Sequence, residues 1–302
     1  MTAIAPLPRR VSVRMPAKIN IALSVGPRRE DGFHELATVF HAVSMFDLVS
    51  VSERPSGAGV SLTCDAPEVP QDATNLAWRA CERMAAELGR GADAHIVIEK
   101  GIPTAGGMAG GSTDAAGVLI ALNELWHGGL SRERLQEIGA EIGSDVPFCV
   151  AGGTQLGTGR GEVLTPVLAR GTYHWVVATA STGLSTPEVF RTLDRIRPHA
   201  DEPHVPEAVM TALRTGDAHA LGRALSNDLQ PAALTLQPSL RRTLDAGLEG
   251  GALGALVSGS GPTCVFLVRD EDHALDVQIA ISATGIARTF ISAYGPVRPQ
   301  VL

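Results

Sequence analysis

The segment KGIPTAGGMAGGSTDAAG, residues 100 to 117, sets glycines at 106, 107, 110 and 111 ahead of Ser112, Thr113 and Asp114. Glycine tolerates positive φ, so successive N–H groups can turn inward as an anion nest. A helix opening at the end of the loop adds about half a unit of positive charge at its N-terminus. Together these hold a polyphosphate without a side-chain cation. An isolated glycine cluster reads equally well as a tight strand-to-helix turn. Four glycines in six positions with two hydroxyls behind them favour phosphate. The spacing is not G-x-x-x-x-G-K-[ST], since no Lys follows the last glycine. It is not G-x-G-x-x-G with an acidic residue about 20 positions on, which argues against a dinucleotide-dependent oxidoreductase.

Charge to offset a triphosphate must therefore come from a metal ion or from another segment. Of 25 basic residues only two are lysines, Lys18 and Lys100. A Lys retained in so arginine-rich a background points to a place where a compact ammonium cannot be exchanged for a planar guanidinium. Lys18 in PAKIN and Asp145 in GSDVPF are the charged residues worth weighing. Taken singly, each reads as a solvated strand-start cation or a turn carboxylate.

The elements that must position these residues can be read in outline. VSVRM and INIALSV have strand alternation and are expected to be two strands joined through PAK; ATVFHAV, LVSVSE and GVSLTC follow as further strands. NLAWRACERMAAELG has helical spacing closed by Gly89, with Asn75 readable as its cap. AHIVIEK is a strand running straight into the glycine loop, after which Ser112 or Thr113 is expected to cap a helix over AAGVLIALNELW. Ser131 opens another helix, and SDVPFCVAGGTQLGTGRGE reads as a loop and an extended segment.

The pattern restarts near residue 170 with the strand YHWVVATA and the helix STPEVFRTLDRI, where Ser185 and Glu188 form a capping box. Helices are expected around 206 to 215, 218 to 229, 238 to 248 and 271 to 282, and VSGSGPTC and IARTFISAY close the chain. The fold class is α+β in two lobes, residues 1–168 and 169–302. The polar stretch RPHADEPHVPE, residues 197 to 207, is a link.

Composition narrows the partners. A chain of 302 residues with 44% hydrophobic residues can build a substantial core. A net charge of -7 argues against nucleic acid and against an acidic membrane surface, leaving small molecules. The N-terminus lacks the apolar core of a signal peptide and no run reaches membrane-span length, so a cytoplasmic protein, monomeric or weakly dimeric, is expected. The four cysteines are far apart with no C-x-x-C pair and are expected to be reduced and mostly buried.

PAKINIALSVGPRREDGFHEL, PTAGGMAGGSTDAA, GSDVPF and VSGSGPTC occur in that order over nearly the whole chain. The ordered set resembles the galactokinase, homoserine kinase, mevalonate kinase and phosphomevalonate kinase superfamily. The extended glycine loop and the REDGFHEL block resemble the 4-diphosphocytidyl-2-C-methyl-D-erythritol kinases within it. The resemblance implies a two-lobed kinase with its active site in the cleft between lobes. ATP, with Mg²⁺, would lie over the glycine loop and phosphorylate the tertiary 2-hydroxyl of the cytidine-diphosphate-linked polyol.

By the same resemblance, Lys18 and Asp145 are the catalytic pair, Asp145 accepting the hydroxyl proton beside Lys18. Pro103, Gly106, Gly107, Met108, Gly110, Gly111, Ser112 and Thr113 would form the ATP site, with Asn75 and Leu76 on the adenine side. Asn20 would contact the polar end of the substrate. Phe33, in place of the family's usual Tyr, would sandwich the cytosine against Phe190 while His34 reads its edge. Thr186, Gly259, Ser260 and Gly261 complete the substrate side. Ser112 is the candidate metal contact, Asp114 standing closer to the helix than to the phosphates. A sugar or mevalonate-like kinase would have no use for GFHE and Phe190, and a non-catalytic nucleotide-binding module would lack the Lys and Asp pair.

Overall fold

The computed structural model describes residues 9–104, 106–180, 182–283, 285 and 289–302. The first halves of the chain's elements are β1 (Arg10–Arg28), β2 (His34–Glu53), β3 (Ser61–Cys64), α1 (Leu76–Glu87), β4 (Ala94–Glu99) and α2 (Gly110–Leu125). They are followed by α3 (Arg132–Ile142), α4 (Val146–Ala151), β5 (Thr154–Gly159) and β6 (Val163–Pro166). The rest are β7 (Tyr173–Thr179), α5 (Thr186–Ile196), α6 (Glu207–Thr215), α7 (Ala218–Ala224) and β8 (Ser226–Asn227). The chain ends through α8 (Gln230–Leu236), α9 (Ser239–Glu249), β9 (Gly254–Val257), β10 (Cys264–Val268), α10 (Glu271–Ser282), β11 (Thr289–Gly295) and β12 (Gln300–Val301).

Two sheets organise these elements into an α+β fold. The larger carries the path β12-β1-β2-β4-β3, with β5 and β6 added beside β2 and β8 beside β1. The smaller, β11-β7-β10-β9, is antiparallel throughout. Two short strands of the second half, β8 and β12, thus pair with the first strand of the chain.

Strand β1 is buried without interruption from Met15 to Gly26, which a strand with one wet face could not be. Val13 and Met15 pack with α1, α2 and α4, whereas Ala17, Ile19 and Ile21 pack with Trp175, Val177 and Leu256 near the smaller sheet. Alternation alone would send 13, 15, 17 and 19 to one face. The register shift between Pro16 and Ala17 inverts it. Strand β2 inverts in step, with Phe40 and Ala42 on the helical side and Val39, Val43 and Met45 on the other. Residues 18 and 20 are thereby turned away from the smaller sheet.

That bulge also corrects the strand reading. PAK does not separate two strands; it lies inside one, and ATVFHAV and LVSVSE are likewise one strand, β2. SDVPFCVA contains the helix α4 where a loop was expected, and the helix expected over 218 to 229 breaks after Ala224 into β8 and α8. Ser112 and Thr113 do not cap α2, which starts two residues earlier from Ala109. Ser185 is the N-cap residue of α5 but makes no side-chain cap bond, and Glu188 pairs with Arg191 and Arg195, so the expected capping box is not formed. Of IARTFISAY, residues 286–288 lie outside the described residues.

Candidate active site

The inversion at Pro16 aims Lys18 into a cleft of about 970 Å³, where it meets Asp145. Lys18 Nζ lies 3.4 Å from Asp145 Oδ2 and donates to Asn20 Oδ1 at 2.8 Å. Asn20 Nδ2 in turn donates to Thr38 Oγ1 at 2.8 Å, and that hydroxyl donates to Ala22 O. Asn20 sits two residues from Lys18 on one strand face, as alternation requires. Its amide bonds to Lys18 and Thr38 orient the ammonium, and each amide atom keeps a second bonding position on the cleft side. Asp145 occupies the N-cap position of α4 without capping it, which leaves the carboxylate for Lys18. Its side chain is about a third exposed and that of Lys18 7%, so the pair lies at the cleft wall with one member open to a ligand.

The glycine loop runs between β4 and α2. Gly106 and Gly107 take positive φ of 100° and 83°, and Ala109 joins them at 57°. Gly110 and Gly111 lie inside the first turn of α2. The first main-chain bond of that helix is Thr113 N–H to Ala109 O. The preceding amides of Gly110, Gly111 and Ser112 therefore have no acceptor within the helix and face an anion site. The loop is held from behind: Ser258 Oγ donates to Gly107 O at 3.0 Å and Thr263 Oγ1 to Gly106 O at 2.8 Å. Gly259, at φ 56°, brings the second loop close to the catalytic strand, since a Cβ there would lie 3.1 Å from Asn20 Oδ1 and 3.7 Å from Lys18 Nζ.

Pro103, Gly106, Gly107, Met108, Gly110, Gly111, Ser112, Asn75 and Leu76 line the cleft with Asn20, Phe33, His34, Thr186, Phe190, Gly259 and Ser260. Two of the expected residues do not. Thr113 is fully buried with its hydroxyl 3.4 Å from Cys149 Sγ, because one residue further along the helix turns the side chain into the core. Gly261 backs the loop, its carbonyl lying where a Cβ on Gly106 or Gly107 would meet it. Asn75 reaches the cleft wall, but its side chain accepts from Ala77 N–H and donates to Pro70 O, so its amide belongs to the cap. Thr186 Oγ1 and Ser260 Oγ, 2.8 Å apart, join α5 to the second loop.

Both lysines of the chain prove to be at this site. Lys100, at the loop entrance, donates to Asp47 and to Asp114. Asp47 also accepts from Gly101 N–H and Ile102 N–H at 2.8 Å each, which fixes the descent of the chain into the loop. Burial pushes Asp114 up to about 7, with Lys100 pulling it down and Asp47 adding to the rise. Burial works against the Lys100 ammonium, but the two carboxylates more than offset this and its pKa is raised. Rarity marks Lys100 in the sequence, whereas Asp47, 53 positions earlier, has no local signature.

Phe33 and Phe190, the two rings expected to sandwich the cytosine, both line the other end of the cleft. Phe190 stacks on His34, ring centroids 4.9 Å apart at 25°. Phe33 is half exposed, with the Arg160 guanidinium 5.0 Å from its ring centre. His34 is held by Asp194, which has no local sequence signature, through Nε2 to Oδ1 at 2.8 Å. Among the described residues no cluster of three or more His, Cys, Asp or Glu could hold a metal ion. Ser112 is the hydroxyl at the loop's end.

Comparisons with known proteins identify the family. Residues 75–153 match the GHMP kinases N terminal domain and residues 209–287 the GHMP kinases C terminal domain. A protein of Rhodococcus jostii named 4-diphosphocytidyl-2-C-methyl-D-erythritol kinase is 54% identical over 97% of this chain and 95% of its own. One of the same name from Mycolicibacterium smegmatis is 55% identical over 95% of this chain and 90% of its own. A crystal structure of 4-(cytidine 5'-diphospho)-2C-methyl-D-erythritol kinase superposes with a TM-score of 0.77 at 33% identity, covering 94% of this chain and 99% of that one.

Proposed function

Because the chain belongs to the GHMP kinases, in the family of the 4-diphosphocytidyl-2-C-methyl-D-erythritol kinases, we propose that it phosphorylates the 2-hydroxyl of 4-diphosphocytidyl-2-C-methyl-D-erythritol. It is an enzyme that phosphorylates an alcohol, with ATP as donor. The observation that carries the finer reading is the Lys18 and Asp145 pair, 3.4 Å apart in the same cleft as the glycine loop.

The triphosphate lies over the free amides of Gly110, Gly111 and Ser112, at the positive end of α2. Asp145 accepts the proton of the attacking hydroxyl as its oxygen bonds to the γ-phosphorus and the bond to the ADP oxygen breaks. Lys18, oriented by Asn20, stabilises the negative charge that develops on the attacking oxygen. A carboxylate is a weak base toward an alcohol, so alignment and charge stabilisation supply most of the acceleration. Mg²⁺, which neutralises phosphate charge when bound, would be carried chiefly by ATP, with Ser112 as the protein oxygen within reach of the loop's end.

The stacked His34 and Phe190 and the half-exposed Phe33 support seating the cytosine at the far end of the cleft. A mevalonate-like or sugar substrate would leave these rings unused. A coupled ADP-release assay comparing the cytidine compound with mevalonate, homoserine and galactose tests the reading. Turnover confined to the cytidine compound is expected; its absence there, with turnover of another alcohol, would sink the assignment.

A further inference from the structure

Helix α5 grips the ring of His34 at two points. Phe190 covers its face at 4.9 Å, and Asp194, four residues on and so on the same helical face, accepts at its edge at 2.8 Å. His34 is 7% exposed and lines the cleft. Among the described residues its Nδ1 makes no hydrogen bond, and the ring borders the cleft. A carboxylate oxygen can only accept, so Nε2 must carry the hydrogen, and a neutral imidazole protonated there has a lone pair at Nδ1.

We propose that Asp194 is a positioning residue that holds His34 as the Nε2–H tautomer, leaving Nδ1 as an acceptor that selects cytosine over uracil. The inference rests on the cytidine reading above and deepens it. The C4 amine of cytosine donates to such an acceptor. Uracil seated the same way presents its C4 carbonyl, placing two lone pairs against each other and leaving a buried acceptor unpaired. Selectivity then comes as much from this repulsion as from the favourable bond. Neither Phe33 nor Phe190 can make the distinction, since every base has a stacking face.

The test compares kcat/KM for the cytidine substrate and for its uridine counterpart in the wild type, Asp194→Leu and Asp194→Asn. Leu removes the acceptor and frees the tautomer, whereas the Asn carbonyl oxygen can still accept from Nε2–H. We expect Asp194→Leu to reduce the cytidine-to-uridine ratio by about tenfold, through KM with kcat little changed, and Asp194→Asn to keep it within about threefold. The ¹⁵N spectrum of labelled wild-type enzyme should show the proton of His34 on Nε2 and a bare Nδ1, and in Asp194→Leu a mixture. Undiminished selectivity in Asp194→Leu, or a wild-type His34 protonated at Nδ1, would overturn the proposal. If the wild-type enzyme turned over no cytidine substrate, it is the proposed function that fails, and the ¹⁵N spectrum alone then decides whether Asp194 sets the tautomer.

Discussion

Replacing Asp114 by Asn should stabilise the protein progressively as pH rises, against the usual cost of cutting a buried ion pair. One ammonium, Lys100, serves two carboxylates that are almost wholly buried, Asp47 and Asp114. Burial pushes Asp114 from an ordinary 3.8 up to about 7, despite Lys100 and with help from Asp47. The folded chain therefore binds more protons than the unfolded chain between those values. The group's contribution to stability is fully present below pH 3.8 and is lost as pH rises through 7. At about 1.4 kcal/mol per pH unit, the interval from pH 5 to pH 7 removes roughly 2 to 3 kcal/mol. Asn does not titrate and can still accept from Lys100.

In urea unfolding followed by tryptophan fluorescence, the stability difference between Asp114→Asn and wild type should move toward the variant by roughly 2 to 3 kcal/mol between pH 5 and pH 7.5. Lys100→Met supplies the contrast. It strands two buried carboxylates and should cost about 3 to 5 kcal/mol at pH 7.5. Parallel pH dependences for wild type and Asp114→Asn would refute the reasoning, as would an Asp114→Asn loss as large as that of Lys100→Met.

Further outcomes are expected at other positions. Lys18→Met and Asp145→Asn should each lower kcat far more than they change the KM for ATP, measured by coupled ADP release; a variant retaining most of its turnover would remove that residue from the chemistry. Phe190→Ala should raise the KM for the cytidine substrate about 5- to 150-fold, the worth of one stacked base, and leave the KM for ATP nearly unchanged. Unchanged values for both would return Phe190 to packing. Burial lowers His41 to about 3, a backbone contact from Gly295 opposing it. The unfolded chain takes up this proton first, so stability should fall by about 1.4 kcal/mol per pH unit below 6.5. By NMR the ring should show no titration between pH 8 and 5, and a midpoint near 6.5 would contradict its burial.

The parts of the site legible in the sequence were those whose chemistry is written locally. Glycine spacing announces an anion loop, and a strand carries Lys18 and Asn20 on one face by simple alternation. What stayed hidden depends on distant or subtle geometry. The bulge at Pro16 reads as a break between strands, yet it is what turns Lys18 into the cleft. Thr113 looks like a second hydroxyl for phosphate until the start of α2 at Gly110 rotates it into the core. The Lys100 cluster draws on residues 47, 100 and 114, and the partner of His34 lies 160 positions away, so neither leaves a motif.

On the proposed function, the phosphoryl group passes to a tertiary hydroxyl beside Asp145 and Lys18. Carbon 2 of the methylerythritol unit bears no hydrogen. A phosphate placed there by this enzyme should therefore give a new ³¹P monoester resonance without three-bond proton splitting, alongside stoichiometric ADP, and Lys18→Met should form it far more slowly. A resonance split by neighbouring protons would mean phosphorylation at a primary or secondary hydroxyl, and would contradict the account.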